Sequence, residues 1–302
     1  MSIPRRIIQT GKTRELKIAA KAAATNLKLL HSDWEYVFFD DKDVKLFIAE
    51  EFPQYEAVFY AFRQAIQRID FFRYLAVFRL GGFYFDLDVL LSESIEPLTQ
   101  YDCVFPFEEL TLSRYLRRHH GMDWEIGNYG FGAEAGHPFI GAVIQNCIRA
   151  QLDPNWLQPM MEGIPQLFRA QFQVLNTTGP GLVSRTLAEN PDLARDVNVL
   201  FPEDVCDART WHQFGKLGVH AQEGSWRSEG GYLGRRLANL WELWARRRLL
   251  HESLALGRSR SLRPTRDVGG HRPEFSDELS TARSCAAHRE MPGTWDNGWN
   301  CD

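Results

Sequence analysis

Two hydrophobic rhythms alternate along the chain. Ile3 to Gln9 is a short β-prone run opened by Pro4, and from Thr13 to Leu30 apolar residues, many of them alanine, recur at helical spacing. Tyr36 to Phe39 is a second aromatic and β-branched run that ends in Asp40 and Asp41, after which Asp43 to Glu51 returns to the helical period. Between Gln64 and Leu80 the positions Ile66, Ile69, Phe72, Leu75, Ala76 and Phe78 suit a buried helix, which Gly81 and Gly82 stop. Phe83 to Leu90 is then predicted as a strand. Cys103 to Phe107, Ile126 to Gly132 and Val197 to Phe201 follow as strands. Pro138 to Arg149, Ile164 to Phe172 and Tyr232 to Leu256 follow as helices, the last with Leu, Trp and Ala on one face.

Strands that alternate with helices imply an α/β fold, a largely parallel sheet covered on both sides. No internal repeat is visible. From Gly257 to Asp302 the composition shifts to Arg, Ser, Gly and Pro with little apolar periodicity, so the expected organisation is a folded domain over 1–256 and a flexible tail over 257–302. Docking of Trp295 and Trp299 on the domain is the alternative for the tail.

Composition adds exclusions. The 302 residues are 44% apolar and 13% aromatic, with 20 Phe and 9 Trp, enough side-chain area to offset the entropy of ordering a large core. Thirty-five basic and 39 acidic residues leave a net charge of -4, so no global positive field exists to hold a polyanion, and nucleic acid is not expected as a partner. Apolar runs fall short of the ~20 residues that cross a bilayer. Residues 1–10 lack the long apolar stretch of a secretion signal. Cys103, Cys147, Cys206, Cys285 and Cys301 are scattered, odd in number and without paired metal-ligand spacing, as a reducing cytosol favours. A cytoplasmic protein, at the inner face of a membrane in one version of the reading, is expected.

The candidate chemistry sits in Gly81-Gly82-Phe83-Tyr84-Phe85-Asp86-Leu87-Asp88-Val89-Leu90. On a continuous strand Phe83, Phe85 and Leu87 face one way and Tyr84, Asp86 and Asp88 the other, with the two carboxylates about 7 Å apart. Like charges on an apolar strand are costly unless a cation or a water-filled cleft compensates them, and oxygen ligands favour Mg²⁺ or Mn²⁺. A strand end emerging into solvent needs no such partner, and a bare D-x-D is common by chance. The preceding helix adds Asp70 and Arg73, which at i and i+3 project from one face; an ordinary surface ion pair is the plain alternative.

Asp70-Phe71-Phe72-Arg73-Tyr74 followed by Leu80-Gly81-Gly82-Phe83-Tyr84-Phe85-Asp86-Leu87-Asp88 resembles the DXD region of glycosyltransferase family 32. That family includes fungal initiating mannosyltransferases and bacterial capsule and lipopolysaccharide enzymes, and the clostridial glucosylating toxins share its core. Ile3 to Thr10 resembles the family's opening strand, Thr178-Gly179-Pro180 a later helix start, and His220-Ala221-Gln222-Glu223-Gly224-Ser225-Trp226 its closing motif. These stretches span roughly residues 3 to 226 in the family's order, which a chance D-x-D does not produce.

The resemblance implies a GT-A fold, Rossmann-like, with a mixed, mostly parallel sheet and a sugar nucleotide over the C-terminal strand ends. It also implies a metal-dependent retaining hexosyltransferase that uses a UDP- or GDP-hexose donor, Mn²⁺ or Mg²⁺, and a saccharide or lipid-linked saccharide acceptor, as in surface polysaccharide synthesis. Carried over residue by residue, Asp86 meets the ribose and, through water, the metal; Asp88 binds the metal directly; Asp70 and Arg73 hold donor sugar hydroxyls. Gln9 and Thr10 lie beside the nucleoside with Tyr84 packed nearby, Asn128 faces the sugar, His220 is a third contact to metal or diphosphate, and Ser225 and Trp226 close over the phosphates. The metal would take the place of a general acid at the leaving diphosphate.

Two rival classes stand beside this reading. A metal-dependent phosphohydrolase or nucleotidyltransferase also holds Mg²⁺ on aspartates, but G-x-x-x-x-G-K-[ST] is absent and the double glycine precedes its strand. A non-catalytic membrane-surface protein is suggested by Arg235, Arg236, Arg246, Arg247 and Arg248 around Trp241 and Trp244, a basic helix able to sit peripherally on anionic lipid. The plainer alternative for that helix is a Trp face packed on the core with its arginines in water.

Overall fold

The computed structural model describes residues 2–221 and 240–250. Its elements run β1 (Arg6–Thr10), α1 (Ile18–Leu30), β2 (Glu35–Phe39), α2 (Asp41–Glu51), α3 (Glu56–Ala61), α4 (Ala65–Leu80), β3 (Gly82–Phe85), β4 (Val89–Leu91) and β5 (Cys103–Leu110). After β5 come α5 (Arg114–His120), β6 (Trp124–Ile126), β7 (Gly130–Ala133), α6 (Pro138–Leu152), α7 (Pro154–Leu157), α8 (Arg169–Thr177), α9 (Pro180–Glu189), β8 (Val197–Leu200) and β9 (Gly218–His220). Residues 240–250 form a further helix.

Seven strands make one mixed sheet in the order β2-β1-β3-β7-β5-β6, with β8 on β5. The pairs β1–β2, β1–β3 and β5–β8 are parallel, while β7 runs antiparallel to both β3 and β5, and β6 antiparallel to β5. Helices flank this sheet, as the GT-A expectation required. Period-two alternation sorts its side chains: Ile7, Phe83, Phe85 and Val104 join the core that contains Leu27 of α1, while Ile8, Tyr84, Phe105 and Phe131 join the larger core under α4, α6 and α9. Each fully buried phenylalanine contributes about 1.5–3 kcal/mol.

α4 is sandwiched, which explains its apolar surface on every side: Phe71, Phe72, Tyr74, Leu75, Ala76 and Val77 are all buried. Gly81 ends it at φ 64° and Gly82 continues at φ 106°, where an added Cβ would come within 2.7 Å of the Arg6 carbonyl oxygen. Only glycine permits both that conformation and that approach to β1, and the helix therefore feeds straight into β3.

Two strand expectations are corrected, and both corrections shape the site. Phe83 to Leu90 is not one strand: β3 ends at Phe85, the Val89 amide donates to the Asp86 carbonyl at 3.2 Å, and Asp86-Leu87-Asp88 form a turn before β4. Ile126 to Gly132 is likewise interrupted, because β6 lies along the end of β5 and β7 along its start, and Gly127-Asn128-Tyr129 bulges out of the ladder between them. The helix expected from Thr13 begins at Ile18, and that expected over Ile164 to Phe172 forms as α8 from Arg169.

Candidate active site

The two interruptions and the elements beside them deliver the side chains of the site. The turn after β3 presents Asp86 and Asp88, α4 presents Asp70 and Arg73, the bulge presents Asn128, and the end of β1 presents Gln9 and Thr10. A second, two-stranded sheet brings His220, since β4 and β9 pair antiparallel with Val89 opposite His220. One oxygen of Asp86, one of Asp88 and one ring nitrogen of His220 lie within 4.8 Å of one another, the one such trio of His, Cys, Asp or Glu among the described residues. Two oxygens and an imidazole nitrogen are a donor set that fits Mn²⁺ or Mg²⁺.

Arg73 is the hub behind the trio. It is 2% exposed and grips Asp86 with both terminal nitrogens, Nη1 to Oδ2 at 3.3 Å and Nη2 to Oδ1 at 3.2 Å. Nη2 also meets Asp70 Oδ1 at 3.1 Å, Nη1 donates to the Asn128 carbonyl at 2.7 Å, and the guanidinium lies 4.7 Å over the Tyr84 ring. The surface ion pair considered for Asp70 and Arg73 is thus replaced by a buried one, because α4 is covered on all sides. Asp70 Oδ2 accepts from Thr178 Oγ1 at 2.9 Å, and Asn128 donates to Tyr74 Oη at 2.8 Å and to Asp70 Oδ1 at 3.3 Å.

The opposite flank is equally connected. Tyr84 Oη donates to Asp86 Oδ1 at 2.8 Å, which leaves Thr10 Oγ1 as donor in its 3.1 Å contact with Tyr84. Gln9, fully buried, donates to the Asp86 carbonyl at 3.3 Å and accepts from Tyr36 Oη at 2.8 Å. His220 closes the trio with Nε2 3.3 Å from Asp88 Oδ1 and its ring stacked 4.2 Å from Tyr129.

Burial sets the charge states. It pushes Asp70 up to about 6 although Arg73 and Thr178 pull the other way, and it raises Asp86 against the pull of Arg73. Burial lowers His220, but its hydrogen bond and charge contact with Asp88 outweigh that and leave it raised overall. Tyr74 and Tyr84 are pushed well above their ordinary value by burial and stay neutral donors.

A second acidic cluster lies beyond Asn128. Glu125 accepts from Thr111, and burial pushes it up to about 7. Glu109 is paired with Arg246, which also donates to Glu242 at 2.9 Å. Arg246 is therefore buried, which corrects both readings that set it in water or on lipid; Arg247 and Arg248 are exposed, and Arg235 and Arg236 lie outside the described residues. Trp241 packs on Phe168 and Phe172, whereas Trp244 is exposed. Glu125 yields a stability prediction. A carboxyl raised from 4.5 to about 7 on folding binds more protons folded than unfolded in that window, so stability falls as pH rises from 4.5 to 7. Glu125→Gln should flatten that slope in thermal unfolding curves taken at pH 5, 6 and 7; an unaltered slope would place the titration elsewhere.

Of the residues named from sequence, Gln9, Thr10, Asp70, Arg73, Tyr84, Asp86 and Asn128 form one connected network with Asp88 and His220 at its edge. Ser225 and Trp226, with the rest of 222–239 and the tail 257–302, lie outside the described residues. Thr178, Tyr74 and Tyr36 were missed as members, though the first two stood inside the quoted Thr-Gly-Pro and Asp-Phe-Phe-Arg-Tyr stretches. Tyr129, Glu108 and His212 carried no sequence signal at all. Among the described residues Cys103 and Cys147 are free thiols, and no helix is long and apolar enough to cross a membrane.

Residues 19–105 match a family described as "Glycosyltransferase sugar-binding region containing DXD motif". The inositol phosphoceramide mannosyltransferase 3 of Schizosaccharomyces pombe is 32% identical over 148 residues, 49% of this chain and 38% of that protein. A mannosyl phosphorylinositol ceramide synthase of Saccharomyces cerevisiae is 26% identical over 182 residues, 60% of this chain and 41% of that protein. The chain thus spans about two fifths of the length of these curated relatives. Among solved structures, a PaToxG glycosyltransferase is similar with a TM-score of 0.44 and 13% identity, over 63% of this chain and 70% of that one.

Proposed function

We propose that this chain, whose residues 19–105 match a DXD-type glycosyltransferase sugar-binding region, transfers a hexose, with retention, from a nucleoside diphosphate sugar to a hydroxyl of a lipid-linked polyol or saccharide. The observation that carries this reading is the convergence of Asp86, Asp88 and His220 at the mouth of the Arg73 network. A divalent cation held by Asp88 and His220, with Asp86 behind it, would neutralise the charge that grows on the departing diphosphate.

The chain's own residues do the rest. Arg73 favours the charged form of Asp86 and aims its carboxylate, and Gln9 fixes the backbone of the turn that presents both aspartates. Asp70 and Asn128, tied to each other and to Thr178, form a polar wall suited to sugar hydroxyls. The names of the relatives point to mannose and to an inositol phosphate lipid as first choices of sugar and acceptor. The cytoplasmic setting, and peripheral membrane contact through exposed Trp244, Arg247 and Arg248, belong to the same proposal.

The purified chain with Mn²⁺ or Mg²⁺ should release nucleoside diphosphate from one member of a panel of GDP- and UDP-hexoses, faster when an inositol phosphate lipid is supplied. Release should stop on chelation and return with metal. No release and no binding of any donor, with either metal, would overturn the assignment. The phosphohydrolase alternative would show itself as equal cleavage of nucleotides that lack a sugar.

A further inference from the structure

Besides Nε of Arg73, two buried polar atoms at the trio have no hydrogen-bond partner among the described residues: Oε2 of Glu108 and Nδ1 of His220. One is an acceptor and the other, in the right tautomer, a donor. Both border the same bulge. The His220 ring stacks on Tyr129, and a Cβ placed on Gly127 would lie 2.3 Å from Glu108 Oε2 and 2.5 Å from Tyr129 Cε1, so glycine at 127 is what leaves room for that carboxylate. Each residue also feels the other's charge.

The backbone around Glu108 is arranged at a cost. Glu108 and Glu109 are consecutive on β5 and should face opposite ways, yet both reach one imidazole: Glu108 Oε1 is 3.1 Å from His212 Nδ1, and Glu109 Oε2 is 3.5 Å from His212 Nε2. A register shift between Phe107 and Glu109 makes this geometry, the usual device for re-aiming a side chain near a site. His212 has φ 60°, the one positive value for a non-glycine residue among the described residues. Its amide donates to the Glu108 carbonyl at 3.2 Å, and its carbonyl accepts the His220 amide at 3.0 Å. Glu108 is thereby stitched to the strand that carries His220, and one of its oxygens is spent on His212 while the other stays open.

His220 offers Nε2 toward Asp88, so Nδ1 is the nitrogen that must keep the proton when Nε2 ligates a cation. An imidazole ligand ordinarily donates that proton to a carboxylate or carbonyl, which fixes tautomer and ring angle. We propose that Glu108 becomes the positioning residue for His220 once Nε2 holds a cation: its open carboxylate oxygen, which makes no hydrogen bond to Nδ1 in this structure, then receives the Nδ1 proton, and the His212 clasp holds that carboxylate in place. This rests on the cation reading of the trio, and the test separates the two.

Mn²⁺ affinity is measured by calorimetry on the full chain as wild type, Glu108→Ala, Glu108→Gln and Asp88→Asn, and the His220 tautomer by long-range ¹H–¹⁵N NMR with Mg²⁺. Glu108→Ala should weaken Mn²⁺ binding by about 10–100-fold and mix the His220 tautomers. Glu108→Gln keeps an acceptor in the same space and should restore the Nδ1–H form with much of the affinity; it also decides the matter if the alanine variant does not fold. Unchanged Mn²⁺ binding in Asp88→Asn would defeat the cation site itself. Weakened binding there, with wild-type affinity and tautomer in Glu108→Ala, would defeat the role of Glu108 alone.

Discussion

Asp88→Asn is expected to lower the rate of nucleotide release from the sugar donor by on the order of 10²–10³-fold, the loss seen when a group stabilising transition-state charge is removed. The substitution is chosen for what it spares. Asparagine keeps the size of the side chain, and the carbonyl of residue 88 still accepts the Ala221 amide at 2.9 Å, so the turn and the β4–β9 pairing stay. What disappears is the negative charge facing His220 Nε2.

Stability should respond only at low pH, which distinguishes loss of chemistry from loss of fold. His220 is raised above 6.5 in the folded protein chiefly because Asp88 outweighs the effect of burial. A raised histidine stabilises the fold fully below its unfolded value, and that contribution is lost as pH rises through the folded value. Asp88→Asn should therefore cost up to about 1 kcal/mol at pH 5.5, as a partly exposed pair does, and nothing measurable at pH 8.5. Donor turnover should be poor even at pH 8.5, where folding is unaffected. Activity within threefold of wild type there, in a variant with wild-type circular dichroism, would remove Asp88 from the mechanism.

The parts legible in the sequence are those written locally. Period-two alternation along Phe83-Tyr84-Phe85 put the tyrosine on the face opposite the two phenylalanines, as the two cores show, and the Gly81-Gly82 stop located the end of α4 to the residue. Asp70, Arg73, Asp86 and Asp88 were identifiable from one stretch because a helix, a double glycine and a strand entry lie in succession there. The breaks were not legible, since a turn at 86–88 and a bulge at 127–129 interrupt runs whose apolar pattern continues across them. Tertiary pairing decides both: β4 leaves the main sheet to join β9, more than a hundred residues later in the chain. Glu108 and His212 stayed hidden for the same reason, because their meaning depends on a register shift and a strained φ that no residue pattern announces. The burial of Arg246 was hidden too, as its partner Glu109 lies on a distant strand.

Arg73→Met carries the largest expected effect on folding, and the reasoning runs through the groups it would abandon. Methionine fills much of the arginine stem but supplies no donor, so Asp86 loses both of its guanidinium contacts and Asp70 loses the cation 3.1 Å away. Asp70 is 4% exposed and already raised to about 6 with Arg73 present. Breaking a buried pair by removing one partner typically costs about 3–5 kcal/mol, because the remaining charge is neither solvated nor compensated. The sign with pH follows. Without the arginine both carboxyls rise further above 3.8 in the folded state, so the folded protein holds protons that the unfolded one releases, and stability drops as pH climbs from 3.8 through those raised values. Urea denaturation should therefore show a larger deficit at pH 8 than at pH 5. Adding Asp70→Asn to Arg73→Met should return part of the loss, with a coupling of about 0.5–3 kcal/mol, since the amide keeps the Thr178 and Asn128 contacts without a charge to bury. Arg73→Lys should rescue little, for one ammonium cannot fork onto Asp86 while reaching Asp70 and the Asn128 carbonyl. A deficit under about 1 kcal/mol, or one that does not grow with pH, would show that Arg73 is not the cation on which the two aspartates depend.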